Sequence, residues 1–276
     1  MNKAQLIPEG KMCFVEKKTL RTRLNEFYEK VDEYPAFEQV THQAQCWIHV
    51  ENEVLKRIKE NAGKTINVLE IGAGRSGFGE WLKARGLREK VRWSVQDVTF
   101  RNAAWLESQT DQITYGDVSE ILDKGCFDIV FSTYVLEHVT DPSLHLEHLH
   151  QLLRPAGSLF IFCPRYDMPG YLCPSSRHLS WMARVGLGVR WGLARFGSWI
   201  SHHPAFLIQT DVAAFHGPFF LDADAVHWVS LLDLKLWAQT KGARLRQLKT
   251  GTPPVGSKDW IVKRWLTCAV EIHKGE

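Results

Sequence analysis

The ten residues 68–77, VLEIGAGRSG, constrain the fold of this chain more than any other stretch. Val68, Leu69 and Ile71 are typical of a buried parallel strand, and the glycines that follow allow a sharp backbone turn. A helix predicted from about residue 76 to residue 85 then points its unpaired N–H groups at that turn. We therefore expect the turn to bind an anionic group such as a carboxylate or a phosphate.

The glycine spacing alone leaves the class of ligand open. Gly72, Gly74 and Gly77 satisfy the pattern GxGxxG, and Asp97 lies twenty residues beyond the last of them. A dinucleotide-binding fold has its ribose-binding acid at about this distance. An NAD(P)-dependent oxidoreductase is therefore one hypothesis for this chain.

Short apolar runs alternate with helical stretches from residue 66 to about residue 163, and this alternation resumes after residue 222. The pattern predicts an α/β fold with a doubly wound, mostly parallel seven-stranded sheet whose last strand is antiparallel. Right-handed crossovers bring the ligand to the C-terminal edge of such a sheet.

The same alternation of strands and helices predicts four parts in the chain. Residues 1–62 form a helical lead-in of two segments separated near Tyr34 and Pro35, and residues 63–163 form a Rossmann-like core that binds the cofactor. Residues 164–222 form an inserted cap over the substrate. Residues 223–276 complete the sheet with a helix from about 225 to 240, a strand near 244–248 and a strand from about 261 to 272.

Composition narrows the classes of partner. The chain has 276 residues and a formal charge of +3, and it lacks a lysine-rich run interleaved with aromatic residues, so we expect no nucleic-acid partner. It has no run of eighteen apolar residues and no signal-peptide pattern, so a cytoplasmic protein is expected. Six cysteines without a CxxC pair indicate reduced thiols and no bound metal.

Five segments in order carry a resemblance to a known family. They are VLEIGAG, Asp97 after the second strand, YGD ending at Asp117, VLEHVTDP, and LRPAGSLFI. Together they resemble class I S-adenosylmethionine-dependent methyltransferases, and most nearly the small-molecule branch called type 11. The resemblance covers residues 66–163 and, more weakly, 222–272. It implies S-adenosylmethionine as cofactor and a natural product, a sugar or a lipid-like compound as acceptor.

The resemblance also assigns roles to the glycine turn. Gly72 and Gly74 allow the backbone to approach the methionine part of the cofactor, while Glu70 holds its ammonium group or orders the loop. One departure is visible, because the family pattern has a third glycine where this chain has Ser76, and Gly77 follows one position later. The helix start is therefore expected to differ slightly.

The other cofactor residues follow the later strands. By resemblance, Asp97 accepts both ribose hydroxyl groups, a task that suits the two oxygens of a carboxylate. Asp117 accepts the adenine amino group, with Val118 beside the ring. Ser132 and Tyr134, at the end of the fourth core strand, form the floor of the site near the sulfonium.

Catalysis needs little from the protein besides alignment, because a sulfonium is already a strong methyl donor. A general base is required only for a poorly ionised hydroxyl or amine, and histidine is the natural candidate near neutral pH. Three histidines have suitable positions: His138 after the fourth core strand, His178 at the start of the cap, and His227 before the sixth core strand. Each also has a structural interpretation.

The sequence predicts an amphipathic helix over residues 181–200. Its apolar positions share one face, whereas the arginines at 184, 190 and 195 lie away from that face. The favoured interpretation is that the apolar face packs on the sheet or covers the site, and the alternative is peripheral contact with an anionic membrane. The sequence leaves the oligomeric state open, including a homodimer. It also leaves open a protein that binds S-adenosylmethionine without catalysis.

Overall fold

A computed structural model describes residues 6–8, 14–31, 44–60, 63–168, 170–249 and 265–275. The strands in this part of the chain are β1 (Leu6–Pro8), β2 (Ile66–Ile71), β3 (Val91–Asp97), β4 (Gln112–Tyr115), β5 (Phe127–Thr133), β6 (Leu153–Pro164), β7 (Leu207–Gln209), β8 (Arg244–Gln247) and β9 (Thr267–His273). The helices are α1 (Phe14–Lys30), α2 (Ala44–Glu60), α3 (Phe78–Ala84), α4 (Ala103–Gln109), α5 (Pro142–Leu152), α6 (Trp181–Ser201) and α7 (Leu231–Thr240).

Seven strands form the central sheet in the order β4-β3-β2-β5-β6-β9-β8. The first five are parallel to one another, and β9 runs antiparallel to both β6 and β8. The predicted α/β fold with an antiparallel last strand is confirmed. The predicted start of that strand, near residue 261, lies outside the described residues.

Both faces of the sheet are covered, which explains why its central strands are continuous apolar runs. On one face, Trp47, Val50 and Val54 of α2 are buried against the sheet together with Phe78 of α3. On the other face, the apolar sides of α5 and α7 pack against the sheet. The C-terminal edges of β2, β3 and β5 remain uncovered by these helices and therefore border the site.

The helix expected from about residue 225 begins six residues later, at Leu231. Residues 223–230 instead form a buried segment that is a turn up to residue 224 and irregular after it, in which the N–H groups of Val226 and His227 both donate to the carbonyl oxygen of Glu137 at 2.9 and 2.8 Å. Ser230 then caps the helix by accepting from the Leu232 N–H group at 3.1 Å. Long-range hydrogen bonds therefore override the local helical pattern.

The segment between β6 and residue 222 carries α6 and the short strand β7, which pairs antiparallel with β1. The boundaries of the four predicted parts of the chain stay a prediction. Among the described residues, no helix combines the length and apolar character needed to cross a bilayer.

The favoured interpretation of the α6 face is wrong. Its apolar side chains point to solvent, and the opposite side of the helix packs on the protein. The reason is Arg195, which is buried and forms an ion pair with the fully buried Asp233 of α7. Leu187 and Ser198 are buried on the same side, so the inward face of α6 is fixed by a buried charge as well as by packing.

A buried ion pair joins α2 to the N-terminal edge of the sheet. The Arg57 guanidinium contacts Glu53 at 2.8 Å and Asp128 at 3.6 Å, and it donates to the carbonyl oxygen of Ala156 at 2.8 Å. All three charged side chains are at least nine-tenths buried. Removing the arginine therefore leaves Glu53 in a low-dielectric environment without its main counter-charge, whereas Asp128 keeps its contact with Arg154 at 2.8 Å.

We expect Arg57→Ala to lower the free energy of unfolding by about 3–5 kcal/mol. Lys56→Ala is the matched control, because Lys56 contacts the same Glu53 at 3.3 Å but is half-exposed. Its expected cost is at most about 1 kcal/mol. Urea unfolding of both variants measures the difference, and equal losses would contradict the account.

Candidate active site

A cavity opens at the C-terminal edge of the central sheet, between the ends of β2, β3 and β5 and helix α1. The structure brings seven of the predicted site residues to its wall. These residues are Gly72, Gly74, Asp97, Asp117, Val118, Tyr134 and His138. Sequence positions up to 66 residues apart therefore meet in one cavity, as the parallel topology predicts.

The glycine turn requires glycine at its first position for two reasons. Gly72 has a φ of +62°, and a Cβ atom there would lie 2.5 Å from Cγ2 of Val135. Gly74 has a φ of +56°, and its N–H group donates to Oδ2 of Asp97 at 2.6 Å. The turn after β2 is thus tied directly to the acidic end of β3.

Ser76, where the family pattern has a glycine, makes two hydrogen bonds of its own. Its Oγ donates to Oε1 of Glu70 at 2.9 Å and accepts from the N–H group of Phe78 at 3.1 Å, where α3 begins. Glu70 is buried and lies behind the cavity wall. Burial raises the pKa of Glu70 to about 8, against the effect of the Ser76 hydrogen bond. These contacts support the loop-ordering role of Glu70.

Asp97 combines a structural role with free acceptor capacity. Besides the bond from Gly74, its Oδ1 accepts from the N–H group of Thr99 at 2.9 Å. A carboxylate has about four lone-pair directions, so two remain available for hydroxyl groups. Burial raises the pKa of Asp97, while the backbone N–H bonds lower it. These free acceptor positions fit a ribose with two vicinal hydroxyls.

The next part of the cavity is an apolar slot beside Asp117. Val98, which is 53% exposed, and the buried Val118 both line it. The Asp117 carboxylate accepts from the backbone and hydroxyl of Ser119 at 2.9 and 2.5 Å and pairs with Arg21 of α1 at 2.7 Å. Burial would raise the pKa of Asp117, but these hydrogen bonds and the arginine lower it. The slot fits a planar base with a polar edge.

His138 lies in the short 3-10 turn after β5, on the cavity wall near Tyr134. Its Nδ1 lies 3.1 Å from Oδ2 of Asp224, and the Tyr28 hydroxyl donates to the same oxygen at 2.8 Å. Burial alone would lower the pKa of His138, but Asp224 outweighs it and raises the pKa to about 10. The cavity wall therefore carries an imidazole whose protonated form is stabilised by Asp224, next to the glycine turn.

The structure does not bring Ser132, His178 or His227 to the cavity wall. Ser132 is buried within β5, and His227 is fully buried, with Nδ1 3.0 Å from the carbonyl oxygen of Leu136. Burial lowers the pKa of His227 to about 4, so its ring is neutral. His178 lies in the inserted segment, 3.6 Å from Asp211 and stacked on His216. Neither histidine enters the mechanism proposed for this site.

No sequence pattern predicted several of the residues at the site. Arg21, Leu24 and Tyr28 line the cavity from α1, a helix whose composition is mostly polar. Asp224 reaches His138 from a segment that reads as helix. The spacing between Tyr28 and Asp224 is 196 residues, so only the folded chain shows that they meet.

We expect Gly72→Ala to weaken binding of S-adenosylhomocysteine on the order of tenfold or more and to destabilise the fold, because the new Cβ forces Val135 out of place. Gly86→Ala is the matched control, since Gly86 has a φ of +65° and open space around it. It should cost only the backbone strain of about 1–2 kcal/mol. Calorimetric titration and thermal unfolding distinguish the two variants, and equal effects would refute the role of close packing at the turn.

Solved structures of low sequence identity share this fold. One is a Burkholderia thailandensis 1,6-didemethyltoxoflavin-N1-methyltransferase, solved with 1,6-didemethyltoxoflavin and S-adenosylhomocysteine bound. It is 13% identical, with a TM-score of 0.51 over 96% of this chain and 92% of that one. Another is from Listeria monocytogenes and is described as an S-adenosylmethionine dependent methyltransferase. It is 12% identical, with a TM-score of 0.52 over 84% of this chain and 98% of that one. A search of curated proteins finds no match.

Family membership follows from a match to a family model. The family described as methyltransferase domain matches residues 42–248, which include the glycine turn, both acidic strand ends and the His138–Asp224 pair. The match excludes the oxidoreductase that the glycine spacing left open, and the predicted cofactor is confirmed. The chain belongs to the methyltransferase domain family and is a class I S-adenosylmethionine-dependent methyltransferase.

Proposed function

We propose that this enzyme methylates a small molecule whose nucleophilic atom binds between Tyr134 and His138. The observation that carries the proposal is the position of His138, which lines the same cavity as Gly72 and Asp97 and is backed by the buried Asp224. Helix α1 covers that cavity with Leu24 and Tyr28, which favours a compact acceptor over a polymer. The Burkholderia thailandensis enzyme with a bound small acceptor is a precedent on the same fold.

The residues that hold the cofactor follow from the cavity wall. Gly72 and Gly74 would accept its methionine part, Asp97 its ribose hydroxyls, and the slot between Val98 and Val118 its adenine. When bound, the cofactor supplies a methyl group that is already activated for displacement. The protein then contributes mainly alignment of the acceptor, an effect that can lower a barrier by roughly 7–11 kcal/mol.

His138 would stabilise the acceptor in its deprotonated form. With its pKa raised, the imidazole carries a proton at neutral pH, and Nδ1 faces Asp224. Nε2–H is then the group that donates to the acceptor oxygen or nitrogen. This arrangement favours acceptors with an acidic O–H or N–H group, which bind as anions beside the imidazolium. Asp224 is a positioning residue, because it acts only through His138.

Asp224→Asn tests this electrostatic pairing without an acceptor. In the wild-type protein the pKa of His138 should lie well above 6.5, near 10. In the variant, burial is opposed only by the charges of Glu137 and Asp222, so the pKa of His138 should fall well below its wild-type value. Nitrogen-15 NMR titration of the imidazoles measures both values, with the buried His227 as an internal control whose titration should not move. An unchanged His138 pKa would contradict the pairing.

The pairing of His138 with Asp224 also determines how activity should change with pH. Because the active form has His138 protonated, kcat/KM should fall as pH rises through the pKa of His138. In Asp224→Asn that decline should move to lower pH. A profile that rises through the His138 pKa would instead show that the neutral ring acts as a general base.

A mass-spectrometric screen for methyl-sized mass gains tests the acceptor class. Small acceptors with an acidic O–H or N–H group should be methylated by the wild-type protein. His138→Gln should lower kcat by about 10²–10³-fold while binding of S-adenosylhomocysteine is retained. Asp97→Ala serves as the control that loses cofactor binding. Methylation confined to proteins or nucleic acids would overturn the proposal.

A further inference from the structure

Helix α6 presents a continuous apolar face to solvent. Eight large apolar side chains on it are each between 54% and 69% exposed: Trp181, Met182, Val185, Val189, Leu193, Phe196, Trp199 and Ile200. At about 100° per residue, all eight fall within an arc of about 120°. Exposed apolar patches of this extent mark interaction sites on proteins.

The orientation of this face is built into the fold. On the side of α6 that packs on the protein, the buried Arg195 pairs with Asp233, which also accepts from the N–H groups of Ala205 and Phe206 at 3.0 and 3.1 Å. Rotating α6 to bury its apolar face would separate this buried ion pair and leave Asp233 without its counter-charge. The structure therefore holds the apolar face outward at a fixed position.

The charges around the face identify its partner. No acidic residue occurs from residue 181 to residue 201. Arg184 and Arg190 lie about 60° outside the two edges of the apolar arc, one on each side. Long arginine side chains in this arrangement can reach anionic headgroups while the apolar residues between them enter the acyl boundary. Trp181 and Trp199, near opposite ends of the helix, are of the type enriched at membrane interfaces.

We propose that α6 lies flat on the surface of an anionic phospholipid bilayer, with its apolar face buried at the headgroup boundary. The helix has 21 residues and a length of about 31 Å, so this contact runs along the membrane plane. The ion pair with Asp233 then fixes the catalytic domain to the membrane surface in one orientation. This role is independent of which small molecule is methylated.

A second copy of the chain is the main rival occupant. In an isologous dimer the same face meets itself, so Arg184 and Arg190 of both copies would approach one another. The helix itself carries no acidic residue. Like charges at such a contact disfavour association, whereas an anionic bilayer attracts the same arginines.

Vesicle co-sedimentation of the full chain tests the proposal. The wild-type protein should bind vesicles of phosphatidylcholine with phosphatidylglycerol, bind phosphatidylcholine alone more weakly, and release as salt increases. Leu193→Glu with Phe196→Glu should reduce binding at least tenfold. Leu122→Glu is the matched control, because Leu122 is 90% exposed but lies away from α6, and its binding should equal that of the wild type.

Arg184→Gln with Arg190→Gln gives a second measurement if the double glutamate variant does not fold. It should remove the preference for anionic vesicles and leave the weak binding to phosphatidylcholine. Light scattering after gel filtration measures the molar mass in solution and so detects a dimer formed through this face. A wild-type protein that binds neither vesicle, or a dimer that Leu193→Glu with Phe196→Glu dissociates without any vesicle binding, would overturn the proposal.

Discussion

The hydrogen bond from the Gly74 N–H group to Oδ2 of Asp97 is the contact on which the geometry of the proposed cofactor site depends. It joins the turn after β2 to the end of β3, and the 2.6 Å separation indicates a strong, charge-assisted bond. Behind it, Ser76 and Glu70 form a second buried bond that holds the start of α3. The glycine turn is therefore ordered by two acidic side chains, one at the cavity wall and one behind it.

A second set of long-range contacts builds the side of the cavity at His138, where we propose that the acceptor binds. The carbonyl oxygen of Glu137 accepts from Val226 and His227, and the neighbouring His138 pairs with Asp224. Tyr28 of α1 donates to the same aspartate. One short segment before α7 thus links the loop after β5 to the N-terminal helix. Three parts of the chain therefore meet at Asp224, beside the cavity.

The sequence was informative where structure is local. A strand, a glycine turn and a helix are adjacent in the chain, so the order of strands and the positions of Gly72, Asp97 and Asp117 could be predicted. Asp224 could not, because its segment has a helical pattern that long-range bonds to Glu137 override. The α6 face shows the same limit. Periodicity tells which residues share a face, but the direction of that face is set by the ion pair between Arg195 and Asp233.

The central claim is that the cavity binds S-adenosylmethionine through the glycine turn and Asp97. Calorimetric titration of the wild-type protein and Asp97→Asn with S-adenosylhomocysteine, and with NAD⁺ in parallel, tests it most directly. The account predicts one S-adenosylhomocysteine per wild-type chain, a weaker affinity in Asp97→Asn, and no heat of binding with NAD⁺. Binding of NAD⁺ without binding of S-adenosylhomocysteine, or an Asp97→Asn affinity equal to that of the wild type, would contradict it.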